Sequence, residues 1–337
     1  MGKKKSVDVS ELTGKNTIFS LLSKTKPLAQ TVEWLRTGLP SFDVLLTRGK
    51  GLPFGKIIEI YGKEASGKTA LSQYLMGQIQ KAGGWGVYVD FETSFDEDHI
   101  ACYGIDKSRV LYSVPETLED MFEGLYQFLK TASGMYEPFL IVVDSIASAV
   151  ADSEKDDNSK VQVAPIPRVM SRNLRKLSVR LAGKRGVVIF INQIRDKINV
   201  MFGDKQSRPG GRALDFHAYT ILETRVMKTL QCKQNGKDVP EGFLIRITNK
   251  KNKKGIPKST SDVVLTFENG LDQARTLLNS LTVEKSFIKK CGANYEFEGE
   301  SVTKNHILSD MKTNSEKYYN LFMKGWNNAE KEERDED

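Results

Sequence analysis

Residues 62–69 read GKEASGKT and fit the spacing Gly-x-x-x-x-Gly-Lys-Thr. Glycines so placed allow a tight turn that aims the backbone N–H groups of Glu64, Ala65, Ser66, Gly67, Lys68 and Thr69 at phosphate oxygens. A helix starting at the far end adds its positive dipole. Gly62, Lys63 and Ala70 frame the cradle. Lys68 would reach the β- and γ-phosphates of a nucleoside triphosphate, and the Thr69 hydroxyl would ligate Mg²⁺. The plainer alternative is a glycine-rich turn before a helix, but KIIEIY reads as a strand running straight into the loop, which is the placement the motif needs. Three more polar residues end apolar runs. Asp144 closes FLIVV, where a carboxylate suits a partner for Mg²⁺ and its water; its other reading is a helix N-cap for DSIAS. Glu92 follows GVYVDF and is the candidate general base for an attacking water, with Asp90 on the same face of that strand as its competitor. Gln193 ends GVVIFINQ; a neutral amide cannot be a base, so its chemical reading is a sensor of the γ-phosphate, against that of a satisfied loop amide.

The elements that must position these residues come from the periodicity. KIIEIY, GVYVDF, VLYSV, FLIVVD and GVVIFIN are short, continuously apolar runs, separated by helical patterns over 68–81, near 118–131 and near 168–184. Buried parallel strands look like this, so the spacing predicts an α/β domain with helices on both faces of a mostly parallel sheet. Beyond Ala218, YTILETRVM, GFLIRIT and DVVLTF have no helices between them and predict an antiparallel extension. The expected organisation is an N-terminal segment 1–36, a core 37–271, a small C-terminal unit 272–329 and an acidic tail 330–337.

The chain has 337 residues, 39% apolar and 28% charged, an ordinary globular balance. Its apolar runs are far shorter than the roughly 20 residues of a membrane helix, and no leader with an apolar stretch is expected before the first domain. The opening MGKKKS has Gly2 and Ser6 in the spacing of N-myristoylation, a pattern short enough to arise by chance; we read it as a basic start. Three cysteines lie far apart and form no metal spacing, as in reduced intracellular proteins. Net charge is +7, and its distribution is uneven. No acid occurs from Lys160 through Arg185 or from Gly242 through Ser261, whereas the tail EKEERDED is strongly acidic. Arg168, Arg172, Lys176, Arg180 and Lys184 repeat every four residues beside the core stripe Met170, Leu174, Leu177 and Leu181. A single-sign face repels itself without an anionic partner. The stretch after Gln193, with Arg195, Lys197, Met201, Phe202, Lys205 and Arg208, combines bases with apolar groups, which suits single-stranded nucleic acid.

GLPFGKIIEIYGKEASGKT, YVDFETSFD, FLIVVDSIAS, RVMSRNLRKL, VVIFINQIRDKINVMFG, GGRALDF and KCGANYEFEGE, in this order, resemble the bacterial RecA recombinases over most of the chain. The resemblance implies an ATP- and Mg²⁺-dependent ATPase that forms a homo-oligomeric helical filament on single-stranded DNA and exchanges strands with homologous duplex DNA. It implies a cytoplasmic protein of a bacterium or a phage, with single-stranded-DNA-binding protein or mediators as further partners and no membrane. By position, Glu92 is similar to the family's catalytic glutamate and Gln193 to its coupling glutamine. Two DNA loops would run over about 154–167 and 194–212, with Arg168, Arg172, Arg175, Arg195, Lys197, Met201, Phe202, Arg208, Gly210, Gly211 and Arg212 on DNA. Asp96 and His99 would meet the adenine, and Lys251, Lys253 and Phe216 would serve the neighbouring protomer. Two departures stand out. The first loop, EKDDNSKVQVAPIP, has gained prolines and lost glycines, and His99 stands where a tyrosine commonly stacks. A ring-forming helicase of related fold and a filament that binds ATP without turning it over are the competing readings; Glu92 argues against the second, and the C-terminal unit against the first.

Overall fold

The computed structural model describes residues 33–93, 95–154, 165–196, 206–284 and 287–335. Its main sheet has nine strands: β1 (Lys56–Gly62), β2 (Trp85–Asp90), β3 (Val110–Ser113), β4 (Phe139–Asp144), β5 (Gly186–Gln193), β6 (Thr220–Gln234), β7 (Lys237–Asn252), β8 (Thr260–Thr266) and β9 (Gly270–Leu271). The order across the sheet is β9-β8-β7-β6-β1-β5-β4-β2-β3. From β6 to β3 all pairs are parallel, and from β6 to β9 all are antiparallel. The expected antiparallel extension is thus built from a hairpin of 15- and 16-residue strands followed by β8 and β9.

The continuous apolar runs are explained by helices on both faces. β4 is buried at all six positions. Alternate residues divide between two cores, as the two-residue period of a strand requires. Ile58, Ile60, Leu140, Val142, Ile189 and Ile191 pack with α1 (Pro40–Thr47) and α2 (Lys68–Lys81). Ile57, Ile141, Val143, Val188 and Phe190 pack with α3 (Leu118–Thr131) and α4 (Pro165–Leu181). Met170, Leu174, Leu177 and Leu181 of α4 are fully buried, each contributing roughly 1.5–3 kcal/mol of apolar burial. This helix differs from the expected 168–184. It starts earlier because Pro165 and Pro167 fall in its first turn, where their missing N–H groups would have no intrahelical acceptor anyway. It ends at Leu181, before Gly183 with φ +76°.

A short helix, α5 (Ala213–His217), leads into β6. After β9 come α6 (Gln273–Asn279), a three-stranded antiparallel sheet of β10 (Lys289–Cys291), β11 (Asn294–Phe297) and β12 (Glu300–Thr303), and helices α7 (Lys304–Thr313) and α8 (Ser315–Asp335). Leu277, Leu281, Ile288, Ile307, Met311, Tyr318 and Phe322 form a third core that also takes in Val44 of α1. The Tyr319 hydroxyl donates to the buried Asp43 carboxylate at 2.8 Å, tying α8 to α1. The acidic stretch from Glu330 continues the backbone of α8 to Asp335 rather than beginning a separate tail. Of the N-terminal segment 1–36, residues 1–32 lie outside the described residues. Among the described residues, no helix is long and apolar enough to cross a membrane.

Candidate active site

Parallel strands place their carboxyl ends on one edge of the sheet, and the register aligns the sequence-selected residues there. Gly62 sits opposite Gln193, Thr224 opposite Gly62, and Asp90 opposite Asp144. Residues 54 to 162 positions apart are therefore neighbours.

The loop 62–69 turns directly from β1 into α2. Gly67 adopts φ +82° as the N-cap, a backbone conformation that strains any residue with a side chain, and a Cβ there would also crowd Ile245 Cδ1 at 2.3 Å. Ser66 Oγ donates to Lys63 O at 2.7 Å and shares a 2.8 Å hydrogen bond with Thr224 Oγ1, bracing the turn on β6. Lys68 Nζ donates to Lys63 O at 2.8 Å, across the loop. Burial holds the Lys68 ammonium below its usual pKa, although Asp144, Glu92 and Glu64 oppose the shift. Thr69 Oγ1 donates to Asp144 Oδ2 at 2.7 Å, and Tyr88 Oη donates to the same oxygen at 2.8 Å. Burial raises the Asp144 carboxyl above the usual range, while these two hydroxyls pull it down. A hydroxyl and a carboxylate oxygen beside a phosphate cradle are the hard donors Mg²⁺ takes, so Thr69 and Asp144 fit that ion. Lys63, Glu64 and Ala65 are exposed at the turn, and Ala70 is buried in the first turn of α2.

Glu92 lies just past β2. Its Oε1 accepts from Ser145 Oγ at 2.5 Å, Gln193 Nε2 at 2.9 Å and Ser148 Oγ at 3.4 Å. Asp90, the competing candidate, is fully buried. It accepts from the N–H groups of Glu92 and Phe95, both at 3.0 Å, and from Tyr112 Oη at 3.1 Å. Asp90 thus builds the turn that presents Glu92, and the half-buried Glu92 is the more accessible of the two. Asp96 is exposed just before the short helix Glu97–Ala101, and the side chain of His99 lies outside the described residues.

Gln193 also begins the second loop. Ile194 N donates to Gly62 O at 3.3 Å, and a ladder pairs Arg195 with Ser207 and Asp196 with Gln206. Lys197, Met201 and Phe202 lie outside the described residues, as does the side chain of Arg195. At the loop's far end Arg208 forms ion pairs with Glu59 and Asp215 and stacks over Tyr61 at 4.6 Å. The sequence reading put Arg208 on DNA, but its guanidinium is engaged inside the fold. Gly211 has φ +64°, and a Cβ there would lie 3.2 Å from Pro167 Cβ; Gly210 is buried near Ile146 and Met170. Both glycines therefore seat the second loop on the start of α4. Arg168, Arg172 and Arg175 are exposed along α4 and Arg212 is exposed beside Gly211. Of the first loop, residues 155–164 lie outside the described residues.

Phe216 on α5 is 72% exposed. Lys251 Nζ donates to the carbonyls of Asp215 and Ala218, as a cation capping a helix C-terminus does. Lys253 is exposed nearby on the strand side of the same corner.

Sequence reasoning missed one wall of the cradle. A cavity of about 350 Å³ lies against residues 65–70 and is bounded by Phe243, Leu265, Thr266 and Phe267. Phe243 and Phe267 meet edge to face at 5.2 Å, and Phe267 is 55% exposed. An aromatic just beyond the end of β8 was a signal in DVVLTF, but only the antiparallel return of β7 and β8 brings it to the phosphate loop.

The model for the RecA N-terminal domain matches residues 4–272. Protein RecA of Kineococcus radiotolerans is 35% identical over 290 residues, 86% of this chain and 80% of that protein. Protein RecA of Lactobacillus delbrueckii subsp. bulgaricus is 34% identical over 290 residues, 86% of this chain and 84% of that protein. Protein RecA of Lactobacillus johnsonii is 35% identical over 308 residues, 89% and 81% respectively.

Proposed function

Because this chain belongs to the RecA family, we propose that it assembles as a helical filament on single-stranded DNA, hydrolyses ATP at the strand ends described above, and pairs its DNA with a homologous duplex. Proteins of this family are ATP-dependent recombinases and DNA-dependent ATPases of homologous recombination and repair. The observation that carries the reading to individual residues is the hydrogen bond from Gln193 to Glu92 at the root of the second loop.

Glu92 orients the attacking water and takes its proton as the water oxygen bonds to the γ-phosphorus and the bond from that phosphorus to the β–γ bridging oxygen breaks, releasing ADP and phosphate. Ser145 and Gln193 hold the carboxylate in place meanwhile. The backbone of the turn and Lys68 carry the phosphate charge. Thr69 and Asp144 would hold Mg²⁺, which supplies further charge neutralisation on the phosphates. Gln193 exchanges its bond to Glu92 for one to the γ-phosphate or the water, so ATP state and loop position become linked. Asp96, His99 and the Phe243–Phe267 wall are the candidates for the base and ribose. Arg168, Arg172, Arg175 and Arg212 are the candidates for DNA phosphates, with Arg195, Lys197, Met201 and Phe202 on the loop itself. Lys251, Lys253 and Phe216 would face a neighbouring protomer. Single-stranded-DNA-binding protein or mediators are further partners on this reading, and its setting is the cytoplasm of a bacterial cell, phage-infected or not.

The test is ATP turnover with and without single-stranded DNA, alongside electron microscopy of the products. Stimulation with helical filaments is expected. Closed rings that unwind duplex would replace the reading with a helicase, and absence of turnover would replace it with a passive filament.

A further inference from the structure

Glu59 is an unusual residue to find on β1. It is 1% exposed, in the strand that delivers the phosphate loop, and nothing in the hydrolysis chemistry uses it. Its two oxygens are occupied by different ends of the second loop. Oε1 accepts from Asn192 Nδ2 at 3.0 Å, and Oε2 is paired with Arg208 Nη1. Asn192 is the residue before Gln193, and the same Nδ2 also donates to Pro209 O at 3.0 Å. Arg208 uses its second nitrogen on Asp215 of α5. One carboxylate therefore gathers the entry of the loop, its exit and the helix after it onto the strand of the phosphate cradle. A guanidinium, with two parallel donors in a rigid fork, is the side chain that can span two carboxylates in this way.

From this geometry we infer that Glu59 and Arg208 form a charge clamp that closes the base of the second loop, and that Arg208 is a positioning residue for Gln193. The inference rests on the proposed link between ATP turnover and the loop. With both roots held on Glu59, a displacement at Arg208 is carried to Asn192 and so to its neighbour Gln193 and to Glu92. With the roots separated, the displacement is absorbed by the backbone. Removing Arg208 also leaves Glu59 buried without its cation, a costly arrangement that draws a proton or water into the site. Burial already holds the Glu59 carboxyl above its usual range against the opposing pull of Arg208.

Arg208→Ala and Glu59→Gln test this. Glutamine keeps the shape but puts an NH₂ donor where one carboxylate oxygen stood, so either Asn192 or Arg208 faces a donor instead of an acceptor. In the full-length protein without DNA, amide exchange is expected to speed up at both roots in each variant, at Gln193–Ile194 and at 214–218. Faster exchange at one root only would overturn the clamp. With DNA, each variant is expected to lose most of the stimulation of ATP turnover, on the order of tenfold, while the slope of log affinity against log salt stays that of the wild type. A slope smaller by about one in Arg208→Ala, with stimulation kept, would instead make Arg208 a direct phosphate contact. A wild-type protein that DNA does not stimulate would overturn the proposed function, and the exchange measurement would still decide the clamp.

Discussion

Gln193 Nε2 donates to Glu92 Oε1 at 2.9 Å across 101 residues of sequence, joining the carboxylate we propose as the water-activating base to the start of the second loop. Gln193→Ala removes the link and leaves the phosphate cradle untouched. ATP binding is expected to be retained while stimulation of turnover by single-stranded DNA is lost. Glu92→Gln, by contrast, is expected to lower turnover roughly 10²- to 10⁴-fold with and without DNA. Steady-state ATPase assays on both variants check this; normal stimulation in Gln193→Ala would remove that residue from the coupling.

Thr69→Ala removes the hydroxyl that meets Asp144 at 2.7 Å. Its expected effect is on metal dependence: the Mg²⁺ concentration for half-maximal turnover should rise about tenfold or more. A Mg²⁺ titration of ATPase activity reads this, and an unchanged midpoint would place the ion elsewhere.

Arg172 stands exposed on the basic face of α4. If it holds a DNA phosphate, Arg172→Ala should weaken binding on any sequence and reduce the salt slope by about one. Binding titrations over a range of salt concentrations check it. An unchanged slope would make this face merely solvated.

Asp43 is the third partner of a buried set, accepting from Thr37 N and Oγ1 and from Tyr319 Oη. Burial raises its carboxyl to about 7. A raised pKa means the folded protein binds the proton more tightly than the unfolded chain. The stability this confers is complete below about pH 4 and is lost as pH rises through about 7, an effect on the order of 4 kcal/mol. Asp43→Asn should therefore flatten the pH dependence of the denaturation midpoint between about pH 4 and 8. An equal slope in both proteins would clear Asp43 of that role.

How much of this was legible beforehand depended on whether the signal was local. GKEASGKT, with a strand before it and a helix after, announces a phosphate loop, because the turn is made by the residues that carry the chemistry. Helices 68–81 and 118–131 were legible for the same reason, each being written in its own apolar spacing. The start of α4 was not, since prolines read as loop residues until their place in a first turn is known. The intramolecular partners of Arg208 were not legible, because a base in a polar stretch looks like a surface base. Only the approach of β1 shows that its fork is engaged by Glu59 and Asp215. Phe267 went unread because its neighbour in space, the phosphate loop, is some two hundred residues away in the chain.

The amino-acid sequence alone determined the alternation of buried strands and helices, the phosphate loop, and the choice of Asp144, Glu92 and Gln193 as strand-end residues. Each of these is set by side-chain type and short spacing along one stretch of chain. Tertiary structure decided which of them touch. The parallel order β1-β5-β4-β2 sets Gly62 beside Gln193 and Asp90 beside Asp144. The buried carboxylate of Glu59 then selects its partners by reach and by the cost of leaving a charge alone. Contacts between strand ends depend on register and strand order, which are properties of the assembled sheet, and no stretch of sequence encodes them by itself.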